Sequence, residues 1–210
     1  MKKTLILALV MLAGMSLFAQ EKKKTTENKG HFGFSAGLAL PMSDFASTSM
    51  QHGGFAKTGF NFTLNGGYLI ANRLGIGGNL FYSTYTVNTL PFNNSSLKAD
   101  HWQYYGIAVG PYIRAVSSPK VTWDFKLFGG MARANYPLFT LENQTLGEDW
   151  SSAFTWQLGT DLRYMISKST YLIADLDYTD MRPTFKILNT GSYDQIIVGM
   201  HLGLGLGWRF

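Results

Sequence analysis

The chain has 210 residues, enough for one domain or two small ones, and it contains 23 glycines, 15% aromatic residues and only 15% charged residues. The net charge of +5 falls by two, to +3, if the amino-terminal segment that holds Lys2 and Lys3 is removed. A charge this small and dispersed does not predict nucleic-acid binding. Because there is no cysteine, disulfides, thiol nucleophiles, thiolate metal sites and a lipid-modified cysteine are all excluded.

Residues 1–19 have the layout of a secretory signal peptide. Lys2 and Lys3 precede an apolar run that ends at Phe18, and a small residue, Ala19, follows it. We expect export and cleavage after Ala19. An uncleaved membrane anchor is the alternative, but the apolar run is short for a membrane span. Residues 20–30 are polar and lysine-rich, which predicts a disordered lead-in before a folded domain at residues 31–210.

The stretch from Ile196 to Phe210 has a large apolar residue at every second position, with mainly glycines between them. A period of two predicts a β-strand with one apolar face. Its length is sufficient to cross the hydrocarbon core of a bilayer. Lipid suits such a face, whereas on a soluble edge strand it would promote aggregation. A soluble sandwich whose last strand happens to alternate is the competing interpretation.

The same alternation recurs in seven earlier segments, and none of the chain after residue 19 has an apolar run long enough for a transmembrane helix. The eight segments are 31–41, 59–70, 74–87, 103–114, 121–132, 154–164, 170–179 and 196–210. Short connections, near 71–73, 116–119 and 167–169, alternate with long ones. The pattern predicts an all-β fold, an eight-stranded antiparallel up-and-down transmembrane β-barrel in the outer membrane. Both termini are expected at the short-turn rim, in the periplasm.

Outward-facing aromatic residues are expected to form two bands, one near each rim. The band near the long loops contains Phe60, Phe62, Tyr82, Tyr105, Phe154, Trp156 and Tyr178. The band near the short turns contains Phe32, Phe34, Tyr68, Trp123, Tyr164, Trp208 and Phe210. Such aromatic girdles are typical of the two membrane interfaces, so outer-membrane lipid is the expected environment.

Three stretches resemble the outer-membrane β-barrel domain family of small Gram-negative proteins, which includes PorT-like chains. They are GFSAGLALPMSDF (Gly33–Phe45), YGIAVGPYIR (Tyr105–Arg114) and LGLGLGWRF (Leu202–Phe210). The resemblance implies that Trp208 and Phe210 act as a carboxy-terminal signal for the barrel-assembly machinery during insertion. It does not indicate an activity, because this kind of barrel hosts unrelated tasks.

The interior is predicted to hold a network of charges. Strand parity sends inward Arg114, Asp124, Lys126, Asp161, Arg163, Asp175, Asp177 and Arg209, four cations and four anions. Eight strands leave an interior that side chains can fill, and buried charges are tolerated when they are paired. We therefore expect a plugged lumen. A narrow channel for solutes is the alternative.

Small outer-membrane barrels also include lipid A deacylases, palmitoyl transferases and proteases, so an enzyme is a further possibility. None of the four histidines, at positions 31, 52, 101 and 201, begins a His-x-Ser pair, and no metal-spaced cluster or phosphate-binding glycine loop occurs. We expect no catalysis, no cofactor and no metal.

The long loops are the remaining candidates for a binding site. In the segment 133–152 the aromatic residues Tyr136, Phe139 and Trp150 are interleaved with acidic ones, and exposed apolar side chains on a loop can mark a partner surface. The alternative is that 136–141 only extends a hairpin above the membrane. The sequence thus favours a structural or loop-mediated binding role towards an extracellular or envelope partner, with a secretion-system accessory role as another possibility.

Overall fold

The computed structural model describes residues 29–92, 96–141, 144–146, 149–187 and 191–210. Its eight long strands are β1 (Gly30–Met42), β2 (Ala56–Leu69), β3 (Leu74–Val87), β4 (Trp102–Ser117), β5 (Val121–Tyr136), β6 (Asp149–Met165), β7 (Thr170–Met181) and β8 (Ile197–Arg209). Each strand pairs antiparallel with its neighbours along the chain, and β1 also pairs with β8. The predicted eight-stranded up-and-down barrel is confirmed.

Two-residue alternation decides which side chains face out of the barrel and which face in. On β8 the outward Leu204 is 71% exposed, whereas the inward His201 is 3% exposed. On β1 the outward Leu38 is 51% exposed and the inward Ser35 is completely buried. The outside is therefore mainly apolar, whereas the inside holds polar side chains together with buried aromatic ones. An apolar outer face is the reverse of a water-soluble protein and is the arrangement that a lipid environment stabilises.

The connections alternate in length as the sequence indicated. Turns of three or four residues join β2 to β3, β4 to β5 and β6 to β7 at one rim, which we call the short-turn end. Four long loops, 43–55, 88–101, 137–148 and 182–196, lie at the opposite rim, the long-loop end. They contain two short 3-10 turns, Ser43–Phe45 and Leu90–Phe92, and small strands at Lys98–Ala99, Phe139–Leu141, Gln144–Leu146, Thr184–Ile187 and Gly191–Asp194. Among the described residues no helix is both long and apolar enough to cross a membrane.

The hairpin formed by β5 and β6 is longer than the sequence alternation predicted. Pairing between β5 and β6 continues without a register shift as far as Tyr136 opposite Asp149, so the hairpin continues past the other strand pairs. Beyond it, Phe139–Leu141 pairs with Lys98–Ala99 on one side and with Gln144–Leu146 on the other. The structure thus agrees with the alternative that residues 136–141 extend this hairpin.

Several predicted boundaries differ from the observed ones, by up to five residues where β6 starts at Asp149 and not at 154. Gly30, assigned to the disordered lead-in, starts β1 and exchanges two backbone hydrogen bonds with Phe210, each 2.9 Å long. The carbonyl of Lys29 also accepts a hydrogen bond from Leu69. At the carboxy-terminal end of the chain, β8 starts at Ile197. Its second residue, Val198, is buried although its parity is outward. The Ser43–Phe45 turn packs against β8. The predicted signal peptide and residues 20–28 lie outside the described residues.

The aromatic residues of both expected bands point outward and are exposed or half-exposed. Phe62, Tyr82 and Tyr105 lie directly opposite one another on β2, β3 and β4, so they form a continuous row near the long-loop end. Near the short-turn end Phe32 lies opposite Trp208 across the β1–β8 seam. Ring contacts add to both bands, with centroids 5.2 Å apart for Trp156 and Tyr178 and 6.4 Å for Phe34 and Trp208.

The outward face predicts a sharp difference between two leucine-to-arginine substitutions. Leu204→Arg, near the middle of β8, should lower the free energy of unfolding by about 2–4 kcal/mol, because the charge must be held in hydrocarbon. Leu90→Arg, on an exposed loop turn, should change it by less than about 0.5 kcal/mol. Urea unfolding in phospholipid vesicles measures both, and equal stability of the two variants would contradict the assigned lipid-facing side.

Candidate functional site

The lower half of the lumen, towards the short-turn end, is crossed by two groups of ion pairs. Asp124 on β5 binds both arginines of the first group, with 3.1 Å between Arg114 Nε and Asp124 Oδ1 and a second contact from Arg163 Nη2. In the second group Lys126 Nζ lies 2.7 Å from Asp161 Oδ1 and 3.0 Å from Asp177 Oδ1. All these residues are buried. The structure therefore brings together six of the eight predicted lumen charges.

The two remaining predicted lumen charges, Arg209 and Asp175, do not form the ion pairs that a balanced set of four cations and four anions would give. Arg209 is half-buried at the rim, where its Nε donates to the carbonyl of Lys168 in a short turn, so it is a rim residue and not part of the network. Asp175 is buried, but its Oδ1 accepts from the Ser35 hydroxyl at 3.2 Å, and no ion pair forms between it and any described cation. The described lumen thus holds three cations and four carboxylates.

Tyrosine rings close the short-turn end against a wall of glycine. A Cβ atom on Gly75 would lie 2.2 Å from the ring of Tyr112, and one on Gly207 would lie 2.3 Å from the ring of Tyr171. A side chain at either position would therefore displace the neighbouring ring. The ring of His31 meets Tyr112 edge-on at 5.5 Å. The Arg163 guanidinium lies 5.6 Å from the Tyr171 ring centre, a cation–π contact.

The middle and upper lumen are bridged by hydrogen bonds between strands that are not neighbours. Asn79 on β3 donates to Gln157 on β6 at 2.8 Å. Nearer the long loops, His201 Nε2 on β8 lies 2.8 Å from the hydroxyl of Tyr104 and 3.0 Å from that of Tyr85. The strands β4 and β8 lie on opposite sides of the barrel, so these bonds cross the bore.

The first long loop covers the lumen at the long-loop end. Its Phe45 is completely buried and packs edge-on against Tyr85 and Trp102, with ring centroids 5.0 and 5.4 Å apart. The indole N–H of Trp102 donates to the carbonyl of Gly54, which fixes the far side of the same loop. Both ends of this loop carry a non-glycine residue with positive φ, Ser43 and Phe55. The loop therefore folds inward as a lid.

The long loops are joined by ring contacts into what we call the loop cluster, formed by Phe55, Phe92, Tyr136, Phe139, Phe185 and Tyr193. Centroid distances are 4.8 Å for Phe55 and Phe92, and 6.1 Å for Phe92 and Phe139. Tyr136 lies 6.0, 5.7 and 6.1 Å from Phe139, Phe185 and Tyr193. The cluster thus contacts all four long loops at once. Burial raises the pKa of Tyr193, so its hydroxyl stays protonated as it donates to Gln195.

The three loop residues proposed for binding are not at one place. Tyr136 and Phe139 belong to the loop cluster, where their rings support the loops from within. Trp150 lies apart, on the outer side of the hairpin, 5.8 Å from Tyr105 and 5.6 Å from the guanidinium of Arg133. Among the loop residues that the structure describes, the exposed large apolar side chains are instead Met50, Leu90 and Leu141, one from each of three loops.

Sequence analysis missed the lid and the aromatic upper lumen. Inward parity could have identified Phe81, Tyr85 and Tyr104, which alternate with the outward residues of β3 and β4. No periodic signal marks Phe45 or Phe185, because each lies in a loop and is buried by contacts far away in the sequence.

The four histidines fall into two groups by burial. His201 and His31 are buried against tyrosines, and His52 and His101 are exposed. Within the part of the chain that the structure describes, no three His, Cys, Asp or Glu residues are grouped so as to hold a metal ion.

The ion pairs predict a large loss of stability when Lys126 is removed. Lys126→Met leaves Asp161 and Asp177 without a counter-charge in the lumen, which should lower the free energy of unfolding by about 3–5 kcal/mol. Adding Asp161→Asn and Asp177→Asn should restore part of this loss, and Lys168→Met in an exposed turn should have little effect. Denaturant unfolding in phospholipid vesicles measures the free energy of unfolding of each variant. A harmless Lys126→Met would show that the lumen is hydrated and screened.

Comparison with solved structures finds the same fold in other outer-membrane proteins. Neisserial surface protein A is 17% identical with a TM-score of 0.55, and the match covers 86% of this chain and 97% of that one. Ail, the attachment invasion locus protein of Yersinia pestis, is 18% identical with a TM-score of 0.51, covering 87% and 99%. A major outer membrane protein from Thermus thermophilus is 12% identical with a TM-score of 0.51, covering 86% and 99%. At these identities the likeness shows the fold alone.

Sequence-based comparison gives two results. A search of curated proteins finds no match. The model of the outer membrane protein β-barrel domain, however, matches residues 5–210, almost the whole chain. Together with the closed eight-stranded barrel and its apolar outer face, this match shows that the chain belongs to the outer-membrane protein β-barrel domain family.

Proposed function

We propose that this outer-membrane barrel is a sealed anchor that holds its four long loops together as one rigid surface for binding a protein partner. The loop cluster is the observation that carries the proposal. Its rings join segments from every long loop and continue through Trp102 to the lid. Preorganised loops lose little conformational entropy on binding, so their contacts contribute more fully to affinity.

Side chains that cross the lumen support an anchor over a channel. Three successive layers of side chains cross the bore. The first contains the two groups of ion pairs, one centred on Lys126 and the other on Asp124. The second is the hydrogen bond from Asn79 to Gln157, and the third is formed by the contacts of His201 with two tyrosines. The Phe45 lid forms a fourth. An eight-stranded barrel has an interior that side chains can fill.

The proposal includes an orientation. Long loops are extracellular and short turns periplasmic in barrels of this kind, so both termini would lie in the periplasm. The Met50, Leu90 and Leu141 side chains would then be exposed to the cell exterior, 65%, 76% and 41% accessible. Exposed apolar side chains on loops favour a protein partner.

Conductance distinguishes the sealed anchor from a narrow channel. The native protein should show no steady openings in planar bilayers, because side chains cross the bore at several successive levels. Phe45→Ala should also remain closed, since the hydrogen bonds and ion pairs below the lid are untouched. Insertion is verified by the heat-dependent shift in gel mobility that folded barrels show. Stable openings of the native protein would reject the sealed lumen.

Site-specific crosslinking in cells tests the loop surface. A photoreactive residue at Leu90 or Leu141 should give a discrete protein adduct, whereas the same residue at Lys168, in a short turn, should not give that adduct. Phe92→Ala combined with Phe139→Ala, which removes two rings from the loop cluster, should abolish the adduct. Phe154→Ala, an outward barrel aromatic 64% exposed, is the matched control and should preserve it. Identical adducts from loop and turn positions would contradict the proposal.

A further inference from the structure

The barrel wall has a gap between β1 and β2 at the long-loop end. Pairing of these strands ends at Ala39 opposite Gly59, although β1 continues to Met42 and β2 already starts at Ala56. Their other edges remain paired, β1 with β8 up to Met42 and β2 with β3 down to Ala56. Two backbone edges therefore face each other across the gap without forming a ladder.

The sequence accounts for this gap. The β2–β3 register shifts between Ala56 and Gly59, so Lys57 and Thr58 form a bulge that bends β2. At the base of the bulge a Cβ atom on Gly59 would lie 1.7 Å from the Thr84 carbonyl oxygen, so only glycine permits this close approach. On the facing strand Pro41 has no N–H and cannot donate to a ladder.

The gap forms an open cleft with a volume of about 510 Å³. It is lined by Leu40, Pro41, Ala56, Lys57, Thr58 and Thr86. Lys57 and the two threonines are exposed. Lys57 also has no ion-pair partner among the residues that the structure describes. The lining thus offers one cation and two hydroxyl groups and contains no carboxylate.

The outer surface next to this cleft is apolar. Leu38 on β1 lies directly opposite Phe60 on β2, just inside the last paired residues. Both point outward, 51% and 48% exposed. The cleft therefore continues directly into the lipid-facing surface, so a molecule that is anionic at one end and apolar at the other would match both regions.

We propose that this cleft binds the anionic phosphate headgroup of a membrane lipid, with the acyl chains lying along Leu38 and Phe60. The Lys57 ammonium and the Thr58 and Thr86 hydroxyls would donate to the phosphate oxygens, which are strong acceptors for charged donors. This site is separate from the loop cluster and does not depend on the loops binding a partner.

Lipid binding is measured by native mass spectrometry of the detergent-solubilised protein with added dioleoyl phosphatidic acid or phosphatidylcholine. One phosphatidic acid should bind in preference to phosphatidylcholine. Lys57→Gln should weaken that binding by about tenfold, as expected for the loss of a hydrogen bond to a charged group. Lys98→Gln, at the same end of the barrel but outside the cleft, is the matched control and should bind as the native protein does. Inorganic phosphate at millimolar concentration should not compete, because it has no acyl chain.

Three outcomes would overturn the proposal. The first is equal binding of the two lipids, and the second is unchanged affinity of Lys57→Gln in a variant whose heat-dependent gel shift confirms folding. The third is capture of an extended peptide by the open edges of β1 and β2 with phosphatidic acid binding unaffected by Lys57→Gln. Thr86→Val supplies an independent variant, since it removes a hydroxyl donor without changing the charge and should weaken phosphatidic acid binding by a smaller factor.

Discussion

The narrow interior of an eight-stranded barrel is the constraint on which the rest of this structure depends. Such a lumen has room for side chains but little else, so every large inward group needs a small one beside it. Tyr112 and Tyr171 lie against Gly75 and Gly207 for this reason. The same confinement keeps the charged groups out of bulk water, and six of the seven described lumen charges are paired there.

The sequence was sufficient to predict the wall because the wall is periodic. Parity along β8 or β1 assigns each residue to lipid or lumen, and a shift by one residue would expose polar groups to lipid all along the strand. The lumen charges followed from the same parity. Arg209 did not, because at the end of a strand a long side chain can reach the carbonyls of a neighbouring turn instead of the bore. Asp175 faced inward as predicted, but parity alone could not show that it lacks a cation.

The loops were beyond prediction for a different physical reason. Phe45, Phe92 and Phe185 lie in segments without regular alternation, and each is positioned by contacts with segments far away in the sequence. A pattern within one segment carries no information about such contacts. Trp102 shows how closely the two regions are connected, because it packs under the lid and also against Tyr136 of the loop cluster. The arrangement of the loops therefore depends on the filling of the lumen beneath them.

The seam between β1 and β8 has a consequence for how the protein acquires its fold. Contacts across this part of the wall, such as Ser35 with Asp175, join residues 140 positions apart. No seam contact can form until nearly the whole chain is present, and closing so large a loop has a high entropic cost before any contact offsets it. We expect the chain to travel to the membrane as an unfolded, aggregation-prone polypeptide whose open edges must be shielded, and to close only when its final strand reaches the first.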